Sequence, residues 1–511
     1  MRFCKKISVA IFACSLSLSM VGCGSDSGDD LIENSPADQE ISGLSGSDAN
    51  TDGTGAGNTD GDGVGDTDGT DAGNTDGASV GNTDGTGVGN PNTDDNATGS
   101  TNIRPNIILV ITDDQGLDSS AQFDLSNDLP NTPVIDSLAA NGITFDNVWA
   151  TPSCTTTRAS LLTGKHGVNN GVISTPGILP EGVGTIQQYL KQNIPDYQTA
   201  AFGKWHVAGP NPDPNHPSTI GVDYYKGNLV GNLTDYNRWM VTTNGVQEEI
   251  NQYHTSAIVD FAIDWIGEQE SPWFTWLAFA APHTPFHAPP AEFNQRGLSG
   301  TAEDIDANTR EYYLAAIETM DAELGRLLDS LESDVRENTI VMVVGDNGTP
   351  RAVIDQTAFI RSHAKGSLFE GGIHVPMVVS GFGVDRTNVR ESGFVSIVDF
   401  FPTIIELAGG DDLPEIDGES FLSSLSVPDA MTRQYLYTEF VSDNPLGSGW
   451  TVRSETHKYF QYTDGTEALY NLVEDPDEVI DLLTVIGDSA EILSIKEALR
   501  AFGLDVRNET L

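Results

Sequence analysis

The sequence feature that most constrains the fold is a short apolar run at 106–112, with the letters NIILVIT. A strand that faces solvent on one side alternates apolar and polar residues, whereas this run is apolar at nearly every position. Such a run is typical of a strand that is buried on both faces of a parallel sheet. We therefore expect a central sheet that helices cover on both sides.

Strands and helices alternate along the rest of the chain. The pattern predicts strands at 143–149, 197–202, 273–278, 339–344 and 376–380, and helices at 132–141, 185–192, 256–267, 309–333 and 398–408. This alternation indicates an α/β fold for a main domain over 104–430. Short strands at 435–440, 450–453 and 457–462 and a last helix near 491–502 then predict a smaller α+β subdomain over 431–511.

The first 23 residues predict an export signal. A basic start precedes an apolar run over 7–21, which is too short to span a membrane as a helix. Gly22 and Cys23 follow and resemble the processing site of bacterial lipoproteins, where the cysteine becomes the lipidated first residue. We therefore expect a lipid anchor at Cys23 and a location in the bacterial cell envelope, at the outer membrane or in the periplasm. A plain signal peptide with an incidental cysteine is the alternative.

Residues 24–103 predict a disordered acidic linker. Five octapeptide repeats over 50–89 consist mainly of Gly, Asp, Thr and Asn and offer almost no apolar side chains to bury. The spacing at 66–71 resembles a calcium loop, but no repeat supplies a late glutamate, so a flexible tether is favoured over weak calcium binding. The whole chain has a net charge of −50, which repels phosphate backbones and disfavours a nucleic-acid partner.

Polar side chains follow two of the predicted buried strands directly. Asp113 and Asp114 come after the run at 106–112, and Asp346 and Asn347 come after the strand at 339–344. Ligands of α/β sheets bind at the carboxyl ends of the strands. Three carboxylates and an amide oxygen at that edge predict a site for calcium or magnesium, although Asp113 and Asp114 alone would also suit a helix cap.

Cys154 is the candidate reactive cysteine of the chain. Cys4 and Cys14 belong to the export signal and Cys23 to the lipidation site, so Cys154 is the only thiol expected in the mature folded part. A single cysteine in an oxidising compartment cannot form a disulfide within the chain. Cys154 opens a predicted helix with Arg158 one turn later, and a helix start beside an arginine favours anion binding.

The segment at 152–164 resembles the signature of the type I sulfatases, which are members of the alkaline phosphatase superfamily. The family signature begins Cys-x-Pro-Ser-Arg, and this chain has CTTTR at 154–158. Five further segments resemble the family in the same order, at 202–206, 281–285, 345–348, 365–376 and 468–478. The resemblance covers roughly 104–485, and it implies a large, mixed, mostly parallel sheet and a sulfuric ester hydrolase.

The resemblance implies a modification of Cys154. In the family this cysteine is oxidised to formylglycine (3-oxoalanine) by a formylglycine-generating maturation enzyme, and the hydrated aldehyde attacks sulfur and later releases sulfate. Thr156 departs from the family because it stands where the signature has proline. Proline lacks an N–H group and fixes φ, so we expect the change to alter recognition of the unfolded peptide more than the folded site.

The resemblance also implies a role for the other matching residues. One calcium ion would contact residue 154 and a sulfate oxygen, and its protein ligands would be Asp113, Asp114, Asp346 and Asn347. Arg158 and Lys204 would stabilise the hydrate, and His206 would orient or deprotonate it. His283 and Lys365 would contact the ester, where one of them would protonate the leaving oxygen.

Three classes of function stay open on the sequence alone. The leading hypothesis is a sulfuric ester hydrolase that acts on a sulfated small molecule or saccharide. The second is a phosphoester or phosphonate monoester hydrolase on the same fold, and the third is a non-catalytic surface protein that binds anions with Cys154 unmodified. A surface tether and an envelope location favour the breakdown of sulfated polysaccharides.

Overall fold

The structure is a computed structural model, and it describes residues 104–442, 448–487 and 489–509. The predicted export signal, the lipidation site at Cys23 and the predicted linker lie outside the described residues, so those expectations stay predictions. In the described ranges, no helix combines the length and the apolar character that crossing a membrane requires.

A ten-stranded sheet is the centre of the described main domain. Its strands are β1 (Asn106–Thr112), β2 (Gly142–Trp149), β3 (Gln198–Gly203), β4 (Tyr224–Gly227), β5 (Trp239–Thr243), β6 (Val246–Ile250), β7 (Trp273–Ala278), β8 (Thr339–Gly345), β9 (Met377–Gly381) and β10 (Val389–Ser396). Their order is β10-β2-β9-β8-β1-β7-β3-β4-β5-β6, and five of the nine neighbouring pairs are parallel. The prediction of a large, mixed, mostly parallel sheet is confirmed.

Helices cover both faces of this sheet. The helices of the described residues are α1 (Pro133–Ala140), α2 (Cys154–Thr163), α3 (Gly167–Asn170), α4 (Ile186–Asn193), α5 (His216–Thr219), α6 (His254–Ile266), α7 (Ala302–Ala307), α8 (Thr309–Ser330), α9 (Ser333–Glu337), α10 (Glu370–Ile373), α11 (Phe400–Leu407), α12 (Leu482–Val485) and α13 (Ala490–Val506). Short 3-10 turns lie at Leu117–Ser119, Arg361–His363, Ile397–Asp399 and Leu422–Leu425.

The apolar run of β1 is explained by burial on both sides. Ile107, Leu109 and Ile111 pack into one hydrophobic cluster with α2, α4 and α11, whereas Ile108 and Val110 pack into a second cluster with α1, α6 and α8. Successive side chains of a strand point to opposite faces, so both faces of β1 must be apolar. All seven residues of β1 are buried, as the sequence pattern predicts.

A separate antiparallel sheet lies near the carboxyl end of the chain. It consists of β11 (Leu436–Phe440), β12 (Gly449–Arg453), β13 (His457–Tyr462) and β14 (Glu467–Asn471), paired in that order. The long helix α13 packs on it and shares a small hydrophobic cluster with its aromatic residues. This sheet and helix correspond to the α+β subdomain that the sequence predicts.

Two features of the fold differ from the sequence-based expectations. The helix expected over 309–333 ends at Ser330, because Leu331 is extended, and a separate short helix α9 follows. The strands β4, β5, β6, β10 and β14 were not expected. β6 shows why: four of its five residues are exposed, so it lacks the apolar pattern that reveals a strand.

Candidate active site

The candidate residues meet at one edge of the large sheet because of its strand directions. β8, β1, β7 and β3 are adjacent and parallel, so their carboxyl ends meet at that edge. β2 ends at the same edge, since it is antiparallel to β9 and β9 is antiparallel to β8. The register places Thr112 beside Gly345, so the next residues, Asp113 and Asp346, stand level with each other.

Four side chains that carry oxygen atoms form the centre of the site, namely those of Asp113, Asp114, Asp346 and Asn347. The backbone N–H of Asp114 donates to Asp346 Oδ1 at 3.0 Å, and Asn347 Nδ2 donates to Asp114 Oδ1 at 2.8 Å. All four side chains are buried. Asp113 Oδ1 and Asn347 Oδ1 have no hydrogen-bond partner among the described residues. Unpaired buried oxygens are rare and costly, so this set fits a hard cation that accepts carboxylate and amide oxygens.

Cys154 is the first residue of α2 and lies beside this oxygen cluster. Ligand atoms of Asp113, Cys154 and Asp346 all lie within 4.8 Å of one another, in the geometry of a metal-binding group. The Cys154 Sγ is 3.2 Å from His206 Nδ1 and 3.7 Å from Lys204 Nζ. Burial raises the pKa of the Cys154 thiol, although Lys204 opposes that change. The structure thus places these residues, which the sequence analysis selected, close together.

A cluster of threonine hydroxyls holds the start of α2. Thr157 Oγ1 accepts from the backbone N–H of Thr151 at 3.0 Å, and Thr156 Oγ1 donates to the Ser153 carbonyl at 2.9 Å. Thr151 Oγ1 also contacts the hydroxyls of Thr156 and Thr157. Thr156, which replaces the proline of the family signature, is thus buried in the first turn of α2 and hydrogen-bonded to residues that precede Cys154.

Three cations lie against the carboxylates. Lys204 Nζ contacts Asp113 Oδ2 at 2.5 Å, and Lys365 Nζ lies 2.7 Å from Asp114 Oδ1. Arg158 donates from Nη2 to Asp346 Oδ2 at 2.9 Å and from Nη1 to the Lys204 carbonyl at 2.8 Å. In the structure the guanidinium of Arg158 also fixes Asp346, and its expected role at the nucleophile stays a prediction.

The carboxylates differ in their electrostatic environment. Burial and the charge of Asp113 raise the pKa of Asp346 to about 7, against the opposing effect of Arg158. Burial would also raise the pKa of Asp114, but Lys365, followed by His283, lowers it below its ordinary value overall. A bound cation would relieve the repulsion between these buried carboxylates.

Two histidines flank the site on different sides. Burial, with the charges of Lys204 and Arg158, holds the pKa of His206 well below its usual range. His283 Nε2 lies 3.7 Å from Asp114 Oδ2, and burial lowers the pKa of His283 to about 4. Neutral imidazoles can accept a proton or, in the other tautomer, donate a hydrogen bond.

Local backbone strain supports a functional assignment for this edge. Asp114 and His206 have φ values of 68° and 58°, in the left-handed region that residues other than glycine rarely adopt. Strained conformations of this kind persist only where the surrounding structure enforces them, and they cluster at active sites.

A loop that sequence reasoning missed supports His206. The His206 N–H donates to the Leu229 carbonyl at 3.1 Å, and the Trp205 N–H donates to the Asn228 carbonyl at 2.9 Å. A Cβ atom added to Gly231 would lie 2.3 Å from His206 Nε2, so the absence of a side chain there leaves room for the imidazole. No sequence signal identifies this loop, because it acts through its backbone and through a missing side chain.

Glu370 links the segment of Lys365 to the second sheet. Its carboxylate pairs with Lys458 at 3.0 Å, Arg453 at 3.1 Å and His374 at 3.0 Å. These contacts give Glu370 a bracing role between the two segments. The other histidines near the motifs are engaged in packing: His287 stacks on Tyr236, His363 stacks on Phe369, and His166 packs edge-on against Tyr437.

Comparison with known protein families identifies the class of this fold and site. The sulfatase family model matches residues 105–410, and the model for the C-terminal part of N-sulphoglucosamine sulphohydrolase matches residues 361–502. The chain therefore belongs to the sulfatase family, and it is a sulfatase enzyme. The family implies a metal ion and a formylglycine derived from cysteine, which agrees with buried Cys154 beside the acidic cluster.

Individual relatives and solved structures support this assignment. Arylsulfatase G of Rattus norvegicus is 29% identical over 440 residues, covering 74% of this chain and 80% of the relative. An ulvan-active sulfatase of Formosa agariphila is 27% identical over 409 residues, covering 74% and 77%. A solved structure in complex with its substrate D-glucosamine-2-N,6-O-disulfate matches with a TM-score of 0.65, 20% identity and coverage of 79% and 98%.

The same fold also occurs with a different chemistry. The phosphonate monoester hydrolase of Agrobacterium radiobacter matches with a TM-score of 0.60 and 19% identity, covering 79% of this chain and 96% of that one. Identity at this level shows the shared fold alone. The phosphonate alternative therefore has only distant support.

Proposed function

We propose that this sulfatase is a calcium-binding, formylglycine-dependent enzyme that removes sulfate esters from sulfated saccharides. One observation carries the proposal: Cys154 Sγ, the ammonium of Lys204 and the imidazole of His206 meet beside a buried cluster of carboxylate and amide groups, two of whose oxygens accept no hydrogen bond from the described residues. That combination provides a reactive position, proton-handling groups and a cation site at one sheet edge.

The residues around Cys154 would handle the nucleophile. Once formed, a hydrated formylglycine supplies a hydroxyl that attacks sulfur and a second hydroxyl whose deprotonation lets sulfate leave. His206 Nδ1, at 3.2 Å from the Sγ position, is placed to take or hold a proton there. Lys204 Nζ is placed to donate a hydrogen bond to an oxygen at residue 154.

The oxygen cluster would hold the cation. Asp113, Asp114, Asp346 and Asn347 supply ligand oxygens of the kind that calcium prefers. Bound there, the ion offsets negative charge that develops on the sulfuryl oxygens. Arg158 keeps Asp346 in place from the side, since its guanidinium is fixed by the carboxylate and by the Lys204 carbonyl.

The far side of the site would receive the leaving group. Lys365 and His283 both approach Asp114, and both are more exposed than the residues beneath them. This position suits protonation of the ester oxygen as the bond to sulfur breaks. Lys365 or His283 is therefore our proposed general acid.

The substrate is proposed from the relatives, and the location is proposed from the leader sequence. The ulvan-active relative and the neighbour with a disulfated glucosamine favour a sulfated saccharide as the substrate. We also propose export as a lipoprotein anchored through Cys23, with a formylglycine-generating enzyme as maturation partner. The support for these proposals is the sequence of the leader and the signature around Cys154.

Paired substrates test the proposed function. We expect the protein from its native host to hydrolyse 4-nitrophenyl sulfate at least tenfold faster than 4-nitrophenyl phosphate. Faster phosphate or phosphonate hydrolysis would favour the second class of function. Hydrolysis of neither ester, together with an unmodified Cys154 by mass spectrometry, would favour the anion-binding protein.

A further inference from the structure

The exposure of the site residues shows where the site opens. The side chains of Asp113, Arg158 and Lys204 are fully buried, whereas His283 is 11% and Lys365 is 23% exposed. A substrate whose sulfate reaches the buried end must therefore extend outward past Lys365. The chemistry of the surface beside Lys365 consequently decides what the rest of the substrate can be.

Two arginines lie in the segment that leads to Lys365. Arg351 and Arg361 are both exposed, and Arg361 Nε donates to the Arg351 carbonyl at 3.2 Å. The Lys365 N–H donates to the Thr349 carbonyl at 3.0 Å, which ties both arginines to the same turn as Lys365. Consecutive Cα atoms are about 3.8 Å apart, so the Arg351 Cα lies within about 8 Å of the Thr349 Cα.

Neither guanidinium forms an ion pair with the residues that the structure describes. Within the described ranges, neither Arg351 nor Arg361 has a carboxylate oxygen within 4.0 Å. The chain has only 25 Lys and Arg against 75 Asp and Glu, so carboxylates are abundant partners for a surface arginine. Two exposed arginines near the turn of Lys365, joined by a hydrogen bond and without a carboxylate partner among the described residues, are suited to bind an anion from outside.

We propose that Arg351 and Arg361 bind a second anionic group, a sulfate or a carboxylate, on the same substrate molecule. The inference rests on the proposed function and deepens it, because it assigns the enzyme to polyanionic saccharides that carry more than one negative charge. The scissile sulfate occupies the buried end, and a further anion of the same chain contacts the arginine pair. A substrate with a single sulfate gains nothing from these residues.

Direct binding tests the proposal apart from catalysis. Titration calorimetry measures binding of low-mass dextran sulfate to the full chain carrying Cys154→Ala, with unsulfated dextran and inorganic sulfate as further probes. We expect the added pair Arg351→Gln and Arg361→Gln to weaken dextran sulfate binding about tenfold, with inorganic sulfate binding unchanged. Arg336→Gln is the matched control, because this arginine also has no carboxylate within 4.0 Å but lies in α9, before the opposite end of β8.

The outcomes separate this inference from the proposed function. Dextran sulfate binding that is unchanged in the double variant, or lost equally in Arg336→Gln, would overturn the proposal. Equally tight binding of dextran and dextran sulfate by the parent protein would also overturn the proposal. Turnover of 4-nitrophenyl sulfate is a separate readout, which a protein that keeps Cys154 and carries only the two arginine substitutions should retain within about twofold. A native protein without that turnover contradicts the hydrolase function, whereas the calorimetry still decides the role of the arginines.

Discussion

Gly231→Ala should displace His206 while leaving the fold in place. The added Cβ would lie 2.3 Å from His206 Nε2, whereas ordinary contacts begin at 3.4 Å, so the imidazole must move by about 1.1 Å. The 3.2 Å contact between Nδ1 and Cys154 Sγ cannot survive such a shift in its present geometry. A misplacement of about 1 Å costs up to about 100-fold in rate.

The assay compares kcat for 4-nitrophenyl sulfate, corrected for the fraction of residue 154 that is converted to formylglycine. We expect a loss of about 10- to 100-fold and a destabilisation of about 1–3 kcal/mol from overpacking. Gly267→Ala is the control, since its Cβ would meet no atom closer than 3.3 Å. Turnover of Gly231→Ala within twofold of the parent would refute the role assigned to His206.

Three further predictions concern the metal, the start of α2 and pH. Asp346→Asn should lower the calcium content measured by elemental analysis together with turnover, whereas Asp196→Asn, whose side chain is 84% exposed, should change neither. Thr156→Val should cost about 1 kcal/mol in urea unfolding because the Ser153 carbonyl loses one of its three hydrogen-bond donors, and Thr156→Ser should restore that stability. Burial raises the pKa of Asp321 to about 6 from 3.8, so the folded state binds the extra proton and stability falls as pH rises from about 4 to 6. Asp321→Asn should remove that part of the pH dependence, and an unchanged slope would contradict the assignment.

The sequence predicted the parts of the site that depend on strand ends. Asp113 and Asp346 each follow an uninterrupted apolar strand, and neighbouring parallel strands place such residues side by side. Cys154 was selected as the lone thiol and Lys204 through the family resemblance, and in the structure both follow strands that end at this edge. For the two carboxylates, one local pattern and one rule of sheet geometry are sufficient.

Other parts of the site depend on loops whose positions no local pattern encodes. Gly231 lies against His206 although the two residues are 25 positions apart in sequence. Arg361 contacts Arg351 in a turn whose end, at Lys365, is hydrogen-bonded to Thr349. Arg158 was expected at the nucleophile, but its partner depends on how α2 is oriented over the sheet. Such contacts become visible only when the packing of the elements is known.

The central claim is that Cys154 acts as formylglycine, and the mass of the peptide that contains it tests this most directly. The protein should be purified from its native host and its turnover of 4-nitrophenyl sulfate measured on the same sample. We predict that the peptide has the mass of an aldehyde in place of the thiol, and that turnover scales with the converted fraction across preparations. Full turnover in a sample whose Cys154 is entirely unmodified would contradict the account.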